Sequence, residues 1–357
     1  MSRDHIRILW VDGSPAQLGH AHGSAFTADI RAYAAERTRL AAAGTDWDRT
    51  RILALAERML PAHEAYAPDL YAEMVAMADA AGITPAEAVV VGGYTDFIDT
   101  VRAEAGGTAV EDTCTAVIVP DHLAAGAGFL AQTWDMHASA TDHVVLLGLR
   151  PDDAPRALVF TTVGTLGQIG MNAAGISIGI NNLTVDDGRI GVTWPFVVRK
   201  ALQATSLDAA IDCVTGAPLA GGHSFLLFDR DGNGAVIEAT PSVTHIEELG
   251  NDPLVHTNHC LVPATQAVEG ARPAALQRSS ELRLAHAPEH LAGGTITAET
   301  LMALTRDERS ICRRPEPPFD YESSGATIMR PATGDFWACW GVPVENEYEH
   351  FRLEMVP

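Results

Sequence analysis

Asp112-Thr113-Cys114-Thr115-Ala116 divides the chain into two textures. Just upstream, Ala105-Gly106-Gly107-Thr108-Ala109 is small and aperiodic and reads as a loop. Downstream, Cys114 to Val119 opens a series of short β-prone runs. The cysteine therefore heads a strand directly after a flexible connection, an odd place for a packing residue. Were the bond before it cut, Cys114 would hold both a thiol and a free α-amine. Their intrinsic pKa values, ~8.5 and ~7.7–8.0, let them exchange protons near neutrality. Nucleophile and base would then share one residue, with Thr113 and Asp112 ending the released piece. The competing reading is a small buried cysteine, since free cysteine is among the most buried residue types.

Outward toward the N-terminus, residues 14 to about 105 read as mainly helical. Ser14-Pro15-Ala16-Gln17 and Thr84-Pro85-Ala86-Glu87 are capping boxes with proline at the first helical position. Ile52, Leu55, Ala56, Met59 and Leu60 form one apolar stripe, which the pattern ends at Pro61. Leu70, Met74, Met77, Ala78 and Ala81 form another, stopped by Gly82.

Outward toward the C-terminus, strands are predicted at Phe129 to Trp134, Val144 to Arg150, Ala157 to Val163 and Ile176 to Asn181. Helix follows over Trp194 to Val214, with Thr205 or Ser206 capping its second part. His223 to Asp229 and Ala235 to Thr240 make a hairpin around Asp231-Gly232-Asn233-Gly234. Helices at Ala274 to Ala287 and Thr297 to Thr305 precede a last hairpin, Ala326 to Arg330 with Phe336 to Trp340. Strands, then helices, then strands predict an α+β fold of packed layers rather than alternating βαβ units.

Composition narrows the function. Among 357 residues, 24 basic against 46 acidic give a net charge of -22, which repels nucleic acid and anionic membranes alike. No run reaches the ~18 apolar residues of a membrane span, and the start lacks the features of a secretory signal. Five cysteines (Cys114, Cys213, Cys260, Cys312, Cys339) without CxxC spacing fit a reducing cytoplasm, the expected location. Asp229 to Gly234 followed by Glu238 imitates a calcium loop, but the glutamate comes too early and the flanks are strand-like, so a hairpin turn is expected. His20 with His22, and His256 with His259, lack the helical HExxH context of a metal site. No metal or other cofactor is expected.

Several ordered segments together resemble the acyl-coenzyme A:6-aminopenicillanate acyltransferase family of self-processing, cysteine N-terminal-nucleophile enzymes. They are Leu18-Gly19-His20-Ala21-His22-Gly23, Asp112-Thr113-Cys114-Thr115, Gln132-Thr133-Trp134-Asp135 and Gly167 to Ile176. Val255-His256-Thr257-Asn258-His259 and Ser310-Ile311-Cys312-Arg313-Arg314-Pro315 complete the series. The resemblance implies a four-layer αββα sandwich of two antiparallel sheets. It also implies a cut between Thr113 and Cys114, giving associated fragments 1–113 and 114–357.

Roles follow from the resemblance by position. Cys114 matches the nucleophile, and Asp135 matches the carboxylate that holds its amino group. Asn258 matches an oxyanion-hole asparagine, a donor worth roughly 3–4 kcal/mol to catalysis. Arg313 or its neighbour Arg314 matches an arginine near the site. Asn181 is either a second substrate contact or a structural asparagine. Two departures stand out: Thr113 occupies the place of a glycine in the penicillin-processing members, and no coenzyme A recognition element is visible. The expected activity is hydrolysis of a small N-acyl amide through a thioester acyl-enzyme. Acyl-coenzyme A-dependent transfer to an amine is the alternative; a metal-dependent hydrolase or a silent binding protein is the alternative from other classes.

Overall fold

The computed structural model describes residues 5–106, 113–317 and 319–356. Asp112 and most of the loop expected at 105–109 lie outside the described residues. Strand β1 (Ile8–Gly13) leads into six helices: α1 (Pro15–Ala25), α2 (Thr27–Ala41), α3 (Arg49–Tyr66), α4 (Pro68–Ala81), α5 (Pro85–Gly92) and α6 (Tyr94–Ala105). Both expected capping boxes are present, Ser14 with Gln17 and Thr84 with Glu87. Gly82 ends α4 at φ 70°, a left-handed conformation that glycine adopts without strain. One boundary differs from expectation: α3 runs through Pro61 to Tyr66. Proline costs the helix one N–H, but the next turn is held from outside. His63 bonds the Met59 carbonyl and Thr193, and the Tyr66 hydroxyl donates to the Cys213 carbonyl.

After residue 113 come β2 (Ala116–Val119), β3 (Phe129–His137), β4 (Val144–Pro151), β5 (Ala157–Thr162), β6 (Ile169–Asn172) and β7 (Ile176–Leu183). Helices α7 (Trp194–Ala201) and α8 (Leu207–Thr215) precede β8 (Gly222–Asp229), β9 (Gly234–Ala239), β10 (Thr244–Glu248) and β11 (Leu254–His256). The chain ends with α9 (Pro263–Gln266), α10 (Ala274–Leu291), α11 (Ala298–Thr305), β12 (Tyr321–Arg330), β13 (Asp335–Trp340) and β14 (Tyr348–Arg352).

These strands make two sheets, of order β1-β4-β5-β6-β7-β8-β9-β10 and β11-β2-β3-β12-β13-β14. All pairings are antiparallel except one: β1 joins the edge of β4 in parallel, Ile8 opposite Leu146. The two antiparallel sheets expected thus carry one parallel edge strand. No short hairpin ties β1 to β4, so connectivity does not impose the antiparallel direction.

The sheets face each other through β2 and β3 against β7 and β8, with Leu130 and Gln132 close over Gly179. On the outer face of the larger sheet, His22 of α1 accepts from Gly164 N–H and Trp194 of α7 stacks on His223. On the outer face of the smaller sheet, Val117, Phe129, Ala131 and Ile328 pack against Ala287, Leu291, Leu301 and Leu304 of α10 and α11. The fold is thus an α+β sandwich of two sheets between helical layers.

The glycines of the early histidine motif have a packing role. A Cβ on Gly19 would lie 1.9 Å from the Glu73 carbonyl oxygen, and one on Gly23 2.3 Å from that of Met77. Their absence of side chains lets α1 rest on the backbone of α4. A buried ion pair, Arg199 with Glu73 at 2.8 Å, then ties α4 to α7. The N-terminal helices share one hydrophobic cluster with the sheet, Met59 and Ile52 alongside Phe196 and Val159.

Candidate active site

Strand pairing places the two residues at the heart of the site. β2 and β3 are antiparallel with Ala116 opposite Gln132, so the residues just before β2 lie beside the end of β3. Thr115 and Thr133 continue the match, with Thr133 N–H donating to the Thr115 carbonyl at 2.9 Å. One step further, the Asp135 N–H donates to Cys114 Sγ at 3.4 Å. Thr113 Oγ1 donates to Asp135 Oδ2 at 3.0 Å. Thr113, Cys114 and Asp135 are all buried. Burial pushes the Asp135 carboxyl up to about 6, against the opposing pull of Arg283, the hydroxyls of Ser323 and Thr113, and Arg313.

Asn258 was expected on a strand; it lies two residues past β11, in a bend, and is fully buried. Every polar group of the residue is held. Its N–H donates to Ser280 Oγ at 2.8 Å, and its carbonyl accepts from Arg272 Nη1. Its Nδ2 donates to the Asn182 carbonyl at 3.2 Å, and its Oδ1 accepts from Arg283 Nη2 at 2.9 Å. A guanidinium only donates, so Arg283 dictates which end of the amide is the oxygen. The Nδ2 donor must point the other way.

Arg283 is the residue that sequence reasoning missed. It is fully buried on α10, and Nη1 donates both to the Cys114 carbonyl and, at 3.0 Å, to Thr115 Oγ1. One side chain thus joins Cys114 to Asn258, with its charge felt by Asp135. Burial brings its own value down to about 10, and Asp135 opposes that shift. A signal existed in the sequence: Arg283 sits in register with Leu276, Ser280 and Ala287, on the buried stripe of α10. A charge on such a stripe needs buried acceptors.

Of the two neighbouring arginines, Arg313 is half-buried and its charge is felt by Asp135, whereas Arg314 is exposed and paired with Glu308 and Glu345. The Arg313 N–H donates to Ser323 Oγ at 2.9 Å, and Ser323 stands opposite Asp135 across β12 and β3. Asn181 is buried on the inner face of β7, two residues from Gly179. Neither atom of its amide has a hydrogen-bond partner among the described residues, nor has Ser224 Oγ opposite it.

The competing motifs find ordinary roles. Asp229 caps the β8–β9 turn by accepting from the N–H groups of Asp231 and Asn233. His256 lies between Glu238 and the Thr257 carbonyl, and His259 meets Ser280 Oγ. Among the described residues no group of three or more His, Cys, Asp or Glu is placed to hold a metal ion. A cavity of about 420 Å3 between α8 and the β8–β9 turn contains none of the site residues.

The model of the acyl-coenzyme A:6-aminopenicillanic acid acyl-transferase family matches residues 124–344, more than half of the chain. The chain belongs to that family. It is therefore an enzyme of acyl transfer. The acyl-coenzyme A:6-aminopenicillanic-acid-acyltransferase 40 kDa form of Emericella nidulans is 25% identical over 324 residues, covering 89% of this chain and 86% of that relative. A Caenorhabditis elegans N-acylethanolamine-hydrolyzing acid amidase ortholog aligns with TM-score 0.44 and 12% identity over 61% of this chain and 93% of its own. A variant of the conjugated bile acid hydrolase of Clostridium perfringens aligns with TM-score 0.44 and 9% identity over 68% and 98%. The penicillin V acylase of Agrobacterium tumefaciens gives TM-score 0.39 and 10% identity over 67% and 86%. No single helix among the described residues of this family member is long and apolar enough to cross a membrane.

Proposed function

We propose that this chain cuts itself between Thr113 and Cys114 and then uses Cys114 to hydrolyse small N-acyl amides. The observation that supports it is the convergence, at the head of β2, of one thiol with Asp135, Asn258 and the buried Arg283. In maturation, Cys114 Sγ attacks the Thr113 carbonyl carbon. The C–S bond forms as the C–N bond breaks, and the thiol proton ends on the freed amine. Water then hydrolyses the thioester, leaving a Thr113 carboxylate and the Cys114 thiol. Fragments of 113 and 244 residues result. They stay together because their apolar residues share one core.

In turnover, the α-amine of Cys114 takes the thiol proton and Asp135 orients the resulting ammonium by a charge-assisted hydrogen bond. The thiolate adds to the amide carbonyl, and Asn258 Nδ2 with a backbone N–H receives the developing oxyanion. The ammonium returns its proton to the leaving amine. A thioester remains, and water releases the acid. Arg283 serves as a positioning residue, fixing the amide of Asn258; Arg313 and Asn181 meet the substrate. Family membership favours a second fate for the thioester, capture by an amine in place of water.

The other four thiols are poor competitors. Burial pushes Cys312 up to about 11 and Cys339 up to about 12, and raises Cys213 and Cys260 as well. Intact-mass measurement beside denaturing electrophoresis tests the proposal. Two fragments, the second starting at Cys114, are expected for wild type and one uncut chain for Cys114→Ala. An active, uncut wild-type chain would sink the reading.

A further inference from the structure

Glu238 and His256 come from different sheets and meet. Glu238 lies on β9, and His256 ends β11 opposite Ala116, two residues after Cys114. Both side chains are buried, with His256 Nε2 3.0 Å from Glu238 Oε1. The same Oε1 accepts from the Leu261 N–H at 2.7 Å, and Oε2 accepts from Thr265 Oγ1. One carboxylate therefore closes the segment 256–261 at both ends, and Asn258 lies between those ends. The bonds of Asn258 to Ser280, Arg272 and Arg283 fix how that residue is turned. The Glu238–His256 pair fixes where its segment stands between the sheets.

Hydrogen bonding also places the protons of the pair. His256 Nδ1 lies 2.8 Å from the Thr257 carbonyl, which only accepts, so Nδ1 carries a proton. Burial would raise the Glu238 carboxyl, but the bonds from His256, Thr265 and Leu261 outweigh it and hold the group below its usual range. Glu238 is thus a carboxylate, its oxygens accept, and Nε2 of His256 donates as well. A charge-assisted bond of this kind is shorter and stiffer than a neutral one. Nearby His259 plays a different part: burial first, then His256 and Arg272, holds it down to about 4, and it meets Ser280 Oγ.

We propose that Glu238 and His256 are positioning residues, a carboxylate–imidazolium clamp between the sheets that sets Asn258 for the acylation of Cys114. The assignment rests on the reading of Cys114 and Asn258 given above. Neither clamp residue touches the reacting atoms; each acts through the segment that carries Asn258.

Single-turnover acylation by p-nitrophenyl acetate, followed by absorbance and located by peptide mapping, tests it. In that step the acetyl group passes to Cys114 Sγ, and p-nitrophenol leaves with the thiol proton. Asn258→Ala is expected to slow it about 10²–10³-fold. Glu238→Gln is expected to slow it about 10–10²-fold by misplacing Asn258. An amide group there suits either Leu261 or a neutral His256, not both. Glu238→Asp, which keeps the charge, is expected to recover part of the rate, and Glu73→Ala controls for stability lost from a buried pair elsewhere. A Glu238→Gln variant that reacts at the wild-type rate while Asn258→Ala is slow overturns the clamp.

Long-range proton–nitrogen spectra of the Cys114→Ala chain, isotope-labelled at histidine, need no turnover. Protons on both His256 nitrogens are expected, with one lost in Glu238→Gln; a bare Nε2 in the parent overturns the clamp. If Cys114 is not acetylated, or Asn258→Ala reacts at the wild-type rate, the reading of the site fails, and the spectra still decide the clamp.

Discussion

The helical layers on the two faces of the sandwich each bury arginine, and they treat it differently. In the N-terminal layer Arg199 meets the carboxylate of Glu73 at 2.8 Å, and Arg37 lies over the rings of Tyr33 and Tyr94. In the C-terminal layer Arg283 donates, among the described residues, only to neutral oxygens, those of Cys114, Thr115 and Asn258. A cation matched to a carboxylate is electrostatically finished and serves to lock two helices. A cation resting on carbonyl and amide oxygens keeps an outward field, which acts on the Asp135 carboxyl and on any negative charge that develops nearby. The lesson is that burial of charge does not by itself mark a functional site; what completes the charge does.

Breaking the finished pair is expected to produce the largest effect. Glu73→Ala leaves Arg199 buried and unpaired, and should lower the unfolding free energy by about 3–5 kcal/mol. Burial already holds the Glu73 carboxyl above its usual range despite Arg199, so the pair itself adds little stability and its disruption costs much. Urea unfolding measures the loss, while activity per folded molecule should stay within a factor of about two. Substantial loss of specific activity would erase the contrast between the layers.

Arg283→Met sharpens the same contrast from the other side. With the Asn258 amide no longer fixed, self-cleavage and turnover should slow by about 10²–10³-fold. Time-resolved intact mass and kcat against KM follow it, with Arg283→Lys recovering part of the rate. A variant that loses stability but cleaves at the wild-type rate would make Arg283 architectural, like Arg199.

Asp135 gives the smallest and most pH-dependent effect. Its folded value of about 6 lies above the unfolded ~3.9, so the folded chain binds this proton more tightly. The corresponding stability is present below about pH 4 and is lost as pH rises through 6, the reverse of an ion-paired carboxylate. In the uncut Cys114→Ala chain, Asp135→Asn should therefore stabilise by up to ~3 kcal/mol at pH 8 and by almost nothing at pH 4. Urea titrations at the two pH values check it. Equal effects at both would remove the burial argument for this carboxyl.

What could be read in advance follows the range of the interaction involved. Ser14 with Gln17, Thr84 with Glu87, and Gly82 act within a single helical turn, and each stands where expected. The apolar runs at β3, β4, β5 and β7 were equally legible, because both faces of those strands are buried. β10 was not: all five of its residues are exposed, and Glu247 and Glu248 keep that sheet edge from pairing further. β1 was missed for a related reason, since Ile8 and Trp10 are exposed and the strand is an edge. Pro61 misled because its helix is completed by His63 and Tyr66 bonding to distant residues.

The site divides along the same line. Cys114 stands out at the head of a strand, and the resemblance carried by the ordered segments adds Asp135 and Asn258 as candidates. That Asp135 lies against Cys114 is a matter of β2–β3 register, and that Arg313 rather than Arg314 is half-buried goes with the bond of its backbone to Ser323. Arg283 needed α10 to pack on the smaller sheet before its guanidinium could reach both Cys114 and Asn258. Sequence by itself determined the caps, the stripes and the reactive residue types, since these depend on neighbours three or four positions away. Tertiary structure alone decided which oxygens receive a buried charge, because those oxygens come from segments more than twenty residues apart in the chain.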